Sequence, residues 1–168
     1  DVLAVSGDNS RRSLSLNLNH KSQDQRFALS LSAMYSYTSV NIISTPANAL
    51  LTPNAPPVYD AYGNLNYNGW MPLDYEYPFA SLLQPYSTKT NFLNSRLSLN
   101  YQILKGLSIK ADFGYNHSLN EQTTLKTIAS FNPKNNPKGS ALFGSRVFHN
   151  VIVEPQVEYN TFIGQGKI

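Results

Sequence analysis

Cysteine is absent from the 168 residues, which removes disulfide frameworks, thiolate metal sites and cysteine nucleophiles. Charge is sparse as well: 14% of residues are charged, and a formal net charge of +3, carried by scattered basic residues with Arg11-Arg12 the one adjacent pair, gives no nucleic-acid signal. No stretch approaches the roughly 18 consecutive apolar residues of a transmembrane helix. A membrane stays open to the chain, because a barrel strand turns half of its residues to water and leaves a weak hydropathy trace. The mean hydropathy of -0.32 fits that case. The common catalytic signatures are missing too: there is no G-x-S-x-G, no H-E-x-x-H and no phosphate-binding glycine loop. Asp74 and Glu76 form a close carboxylate pair, but no base or nucleophile stands nearby in sequence. No catalytic residue, metal site or cofactor is expected. The charged, apolar and small-residue regions of a signal peptide are also absent.

What the chain does have is one strand pattern written five times. In Ser13-Leu14-Ser15-Leu16-Asn17-Leu18-Asn19 the even positions are apolar, and from Phe27 through Leu29, Leu31, Ala33, Tyr35 and Tyr37 the odd ones are. The alternation returns over 93–103, 107–115 and 151–159. A period of two gives each strand one wet face and one apolar face. The predicted strands are about 11–20, 25–41, 90–104, 107–119 and 147–162. Lys21-Ser22-Gln23-Asp24 and Lys105-Gly106 read as tight turns, and Gly164-Gln165-Gly166 as a third. Two long loops, about 42–89 and 120–146, carry the prolines that bar regular structure, and Val58 to Leu65 within the first reads as a small hairpin. The connections therefore alternate short and long. The fold class expected is all-β: antiparallel strands forming part of a large transmembrane β-barrel, with short periplasmic turns and long extracellular loops.

The aromatic residues agree with that orientation. Tyr35, Tyr37, Phe113 and Tyr115 lie toward the outer ends of ascending strands, and Tyr101 and Tyr159 toward the inner ends of descending ones, all in phase with the apolar face. Leu14, Leu16, Leu29, Leu31, Leu97, Leu99, Ile109 and Val157 are expected to face lipid. Arg96, Lys110, Asp112, Glu154 and Glu158 alternate with them and are expected to face the lumen, because an Arg or Lys turned to mid-bilayer costs about 2–4 kcal/mol. Arg96 with Asp112, and Lys110 with Glu154, are plausible cross-strand pairs. Pro155 falls on the apolar face and predicts a bulge or weak pairing.

Four stretches in order carry a resemblance to a family. They are Arg12 to Lys21 (RSLSLNLNHK), Ala55 to Asn64 (APPVYDAYGN), Tyr101 to Tyr115 (YQILKGLSIKADFGY) and Glu154 to Asn160 (EPQVEYN). The ordered set resembles the SusC/RagA family of TonB-linked outer-membrane transporters of Bacteroidetes. That resemblance implies a plugged barrel that imports oligosaccharides or peptides, a SusD-like lipoprotein lid, coupling to the TonB complex, and contact with outer-membrane lipid but no nucleic acid. No TonB box, plug or final aromatic strand is visible. Plugged barrels of this class have about 22 strands, so five strands and a stub are expected to be an internal segment of a longer polypeptide or a piece of a split barrel.

The first long loop holds Tyr59, Tyr62, Tyr67, Trp70, Tyr75 and Tyr77, candidates for loop packing, partner contact or substrate contact. Asp60, Asn64, Asn66 and Asn68 lack the spacing of a calcium loop and read as turn formers. His20, His117 and His149 are too dispersed in sequence to suggest a shared metal site. Two other functions compete with transport: the wall of a secretion or surface-scaffold barrel, and a soluble β-sandwich binding module whose apolar face packs into a core.

Overall fold

A computed structural model describes residues 7–44, 46, 51–70, 77, 79–163 and 166–167. Five strands form one antiparallel sheet: β1 (Asp8–Lys21), β2 (Phe27–Ile42), β3 (Tyr86–Leu104), β4 (Leu107–Lys126) and β5 (Ser140–Tyr159). Each lies beside its sequence neighbours, in the order β1-β2-β3-β4-β5, and the sheet is not closed, so β1 and β5 are its edges. Two-residue strands β6 (Phe162–Ile163) and β7 (Gly166–Lys167) pair separately, with Phe162 opposite Lys167. Among the described residues no helix is long and apolar enough to cross a membrane, which says nothing of crossing by strands.

Strands β3, β4 and β5 run further toward the long loops than their alternation suggests. β3 starts at Tyr86, β4 continues to Lys126, and β5 starts at Ser140. Segments such as Gln122-Thr123-Thr124 and Ser140-Ala141 lose the apolar–polar contrast, so periodicity stops before the hydrogen bonding does. The Leu125 amide still donates to the Pro85 carbonyl at 3.1 Å. Conversely, β2 begins two residues later than predicted, because the first turn is longer. There Asp24 accepts from the Ser22 hydroxyl at 2.5 Å and the Arg26 amide at 3.2 Å, Gln25 takes a φ of 58°, and the Ser22 amide closes on the Phe27 carbonyl at 2.9 Å. The Ser22 hydroxyl, then the Arg26 amide, hold the Asp24 carboxyl below its usual range. β5 ends at Tyr159, and Phe162 belongs to the separate two-residue pair.

The chain divides into two compact units. One comprises Asp1–Ser10, Thr38–Lys89 and Glu121–Ser145, and holds both long connections. Its core is Val58, Leu65, Tyr67, Phe79 and Leu82, with Ile43, Leu51, Trp70, Tyr77 and Leu83 packed against it. The expected small hairpin is present there. Tyr59 bridges to Leu65, Asp60 accepts from the Tyr62 and Asn64 amides at 2.9 Å each, and Gly63 turns the chain with a φ of 83°.

The other unit comprises Arg11–Tyr37, Thr90–Asn120 and Arg146–Ile168. Its tightest point is the Lys105-Gly106 turn. Gly106 has a φ of 89°, the Asn160 amide donates to its carbonyl at 2.7 Å, and a Cβ at Gly106 would run into the Asn160 carbonyl. A Cβ at Gly63 would meet nothing within 4 Å. The two glycines therefore separate strain from collision. Gly63→Ala should lower loop stability by about 1 kcal/mol through backbone strain alone. Gly106→Ala should cost clearly more, since Asn160 must also move. Thermal unfolding of the two variants checks the ranking, and equal costs would contradict it.

Candidate functional site: a polar sheet face and an aromatic loop core

Side-chain contacts define one face of the sheet. Ser30 donates to Asn19 at 2.7 Å, Asn120 to Thr90 at 2.8 Å, and Asn94 to Asn116. Arg96 reaches one Asp112 oxygen through Nε at 3.2 Å and Nη2 at 3.0 Å, and the Ser98 hydroxyl donates to that same oxygen. Lys110 pairs with Glu158, which also accepts from Asn160 at 2.9 Å. Each contact joins positions that the period of two assigns to the wet face. Arg96, Lys110 and Asp112 line a concavity of about 530 Å³, whose lining also includes Asn19, Ser30 and Ser98 and, from the alternate positions, His20, Leu29 and Leu99. Those three predicted charges therefore meet in one place.

The predicted partner of Lys110 was wrong. With Gly114 set against the Ile152 side chain, residue 110 falls across from 156, so 154 and 158 are its two diagonal neighbours; the lysine takes Glu158. Alternation assigns a face but not a register, which is why sequence chose Glu154. Glu154 shares the face with Ile152, two residues away, without joining this pair.

The opposite face is apolar and open. Leu14, Leu16 and Leu18 on β1, and Val147, Val151, Val153 and Val157 on β5, are all more than half exposed. Ile109, Phe113 and Tyr115 on β4 are exposed as well, whereas Leu29, Leu31, Leu97 and Leu99 on the inner strands are half-buried by their neighbours. Tyr35, in phase with this face, donates to Asn91 at 2.8 Å. His20 lies beside Phe27 and His117 stacks on Tyr115, each with ring centres 6.4 Å apart; His149 stands on β5.

In the loop unit the aromatic candidates part company. Tyr67, Trp70 and Tyr77 converge with Phe79. Tyr67 and Tyr77 have ring centres 4.6 Å apart, and Trp70 meets Phe79 edge-on at 5.1 Å. Each polar handle ends on a backbone carbonyl: Tyr67 on Ala129 at 3.1 Å, Tyr77 on Val58 at 3.0 Å, and Trp70 on Pro57 at 3.2 Å. These three rings are core, so replacing Trp70 would disturb the loop itself rather than a surface alone. Tyr59 is partly exposed, and Tyr62, at the hairpin tip, is 90% exposed. Tyr75, Asp74 and Glu76 lie outside the described residues.

The second long connection closes on the first. Thr127 donates to the Leu83 carbonyl at 2.9 Å, and Gln84 to the buried Ser130 hydroxyl at 3.1 Å. Phe79 and these second-loop partners escaped the sequence reading. The signal for Phe79 was the apolar run Phe79-Ala80-Ser81-Leu82-Leu83 inside a proline-rich loop; nothing comparable marked Thr127 or Ser130.

The fold is thus all-β, an open antiparallel sheet with one polar and one apolar face and a cored loop unit. No known family model and no curated protein matches the chain.

Burial lifts both core phenols. Tyr67 and Tyr77 move from an ordinary value of 10.0 to about 12 by desolvation, with the neighbouring Tyr67 adding to the effect on Tyr77. A raised folded pKa means that the neutral form is favoured on folding, so this contribution is whole below pH 10 and disappears as pH rises through about 12. Tyrosinate absorbance should therefore show two late-titrating phenols, with loss of Trp70 fluorescence in the same window; titration of all tyrosines near the ordinary value would contradict the buried core.

On the sheet, Arg96 is exposed and Asp112 only partly so. A double-mutant cycle of Arg96→Ala and Asp112→Ala should give a coupling between about 0.2 and 1 kcal/mol. Asp112→Ala should be the costlier single change, because it removes the acceptor for both Arg96 and Ser98.

Proposed function

We propose that this chain supplies wall strands and outer loops of a TonB-dependent transporter of SusC/RagA type in the outer membrane. The observation that carries the reading is the pairing of strand length with exposure. The five strands run 14, 16, 19, 20 and 20 residues. About 9–11 residues suffice to cross a bilayer, and strands of soluble proteins centre on about 5–6. Strands this long, apolar and uncovered on one face and internally paired on the other, fit lipid outside and water inside. Burying one exposed leucine contributes roughly 1.5–3 kcal/mol, so an apolar face of this extent calls for a nonaqueous partner. A sandwich would lay a second sheet on that face. Among the described residues there is one five-stranded sheet and a two-residue pair.

In this transporter the edges of β1 and β5 pair with adjoining wall strands, since unpaired backbone is not tolerated in lipid. The concavity beside Arg96, Lys110 and Asp112 faces the lumen, where Arg96–Asp112 and Lys110–Glu158 neutralise one another and keep water beside a passing oligosaccharide or peptide. The cored loops stand outside the membrane, with Tyr62 and Tyr59 turned toward a SusD-like lid or the substrate. TonB acts on a plug that belongs to the same transporter.

Cell-surface labelling tests the topology. Asn64 is exposed on the hairpin, and the chain has no cysteine of its own. Asn64→Cys should react on intact cells with a membrane-impermeant thiol reagent once the lid is deleted. Reaction only after the outer membrane is broken would place the loop in the periplasm and overturn the orientation.

A further inference from the structure

Two of the three histidines that stand far apart in sequence meet on the ladder between β4 and β5. Two glycines fix that ladder. A Cβ at Gly114 would lie 3.4 Å from the Ile152 Cβ, and a Cβ at Gly144 would lie 3.7 Å from the Gln122 Cβ. Side chains this close belong to directly opposed residues, because diagonal ones stand roughly 7 Å apart. Residue 114 therefore faces 152, and 122 faces 144. Counting inward, three steps from the first pair and five from the second, both arrive at His117 opposite His149. The two counts agree, so the ladder is regular between them. His117 and His149 are thus cross-strand partners, a relation that sets Cβ atoms about 4.5–5.5 Å apart.

Both histidines belong to the apolar face. His117 has the parity of Phe113 and Tyr115, and its ring lies parallel to that of Tyr115 with centres 6.4 Å apart. His149 has the parity of Val147 and Val151 and is exposed, while His117 is half-buried. The same count sets Tyr115 across from Val151 and Leu119 across from Val147, so neither flanking pair carries a carboxylate. The face turns polar at the second opposed pair beyond the histidines, Glu121 and Ser145, both exposed. The two imidazoles stand where the apolar face gives way to a polar one.

We propose that His117 and His149 form a two-nitrogen site for a late first-row divalent metal ion, Cu2+ above all, which clips β5 to β4. At metal–nitrogen distances of about 2 Å, two rings rooted on opposed Cβ atoms can share one ion. Imidazole suits such ions, and two adjacent nitrogens completed by water match the square-planar preference of Cu2+. Calcium and magnesium take oxygen ligands, which the flanking pairs do not offer as carboxylates. Among the described residues no group of three or more His, Cys, Asp or Glu gathers to hold a metal. Water therefore fills the remaining positions, and the ion is exchangeable. Because β5 is an edge of this sheet, an ion held here ties the edge strand to its neighbour through side chains as well as backbone. Register and parity carry the inference whatever covers the apolar face, so it stands apart from the transporter reading.

The test titrates the tag-free protein, purified in detergent micelles, with Cu2+. The variants are H149Q, its reciprocal H117Q, and F148H/H149Q, which keeps the histidine count but moves one ring to the other face. The chain has no cysteine to take copper instead. Wild type should bind on the order of one hundred-fold more tightly than any variant, since tethering a second ligand raises affinity by about 10²–10⁴. Electron paramagnetic resonance of the bound ion should show coupling to two nitrogens in wild type and to one in H149Q. Copper should also raise the unfolding temperature of wild type more than that of the variants, because it binds the paired strands and not the separated ones. Unchanged circular dichroism certifies that each variant keeps the sheet. Equal affinity in wild type and F148H/H149Q overturns the proposal, and so does a one-nitrogen spectrum in wild type. A two-nitrogen spectrum that survives in H149Q places the ion elsewhere and overturns it as well.

Discussion

Backbone pairing in a sheet with no interior is the constraint on which everything else here depends. Each strand satisfies its amides and carbonyls only through its neighbours, so β2, β3 and β4 are complete while β1 and β5 each keep an open edge. The pleat then sends side chains alternately to two faces, and among the described residues the only other sheet is a two-residue pair. One face must suit water and the other must suit something apolar. Ion pairs and amide contacts such as Arg96–Asp112 and Asn94–Asn116 tie adjacent strands on the polar side. On the apolar side, the leucines of the inner strands are half-buried, as cross-strand neighbours on a sheet face are.

The long connections meet a different constraint. Among its described residues the connection from β2 to β3 has one isolated bridge, Tyr59 to Leu65, to absorb its backbone polar groups, and proline removes several donors outright. The loop unit answers with rings. Phe79 is fully buried, while Tyr67, Tyr77 and Trp70 bury their apolar bodies and aim their polar atoms at backbone carbonyls of the two connections. The same device reaches the second connection, where Ala129, Ser130 and Thr127 supply partners to Tyr67, Gln84 and Leu83. Aromatic density in this loop therefore reports a core first. Among the described candidates, Tyr62 and, in part, Tyr59 remain to touch something else.

In the proposed transporter these two solutions divide the work. Wall strands hold a water-lined passage inside lipid without a hydrophobic interior, because the bilayer takes the place of a core. Loops outside the membrane have no bilayer to lean on, and need a core of their own to present a defined surface.

The sequence by itself determined the five long strands, the Lys105-Gly106 turn and the shared face of Arg96, Lys110, Asp112 and Glu158, because a period of two is local and survives without any knowledge of neighbours. It also marked the Gly63 hairpin and the Arg96–Asp112 pair. Tertiary structure alone decided the partner of Lys110, since register depends on turn length and strand twist, and a lysine with two diagonal glutamates has no sequence rule to choose between them. It decided the true extent of β3, β4 and β5, where pairing with a neighbour outlasts the apolar alternation. And it decided which loop aromatics are buried, because Tyr62 and Tyr67 carry the same ring. Only the fold, by bringing Phe79 and Ala129 to one of them, makes the first a surface and the second a core.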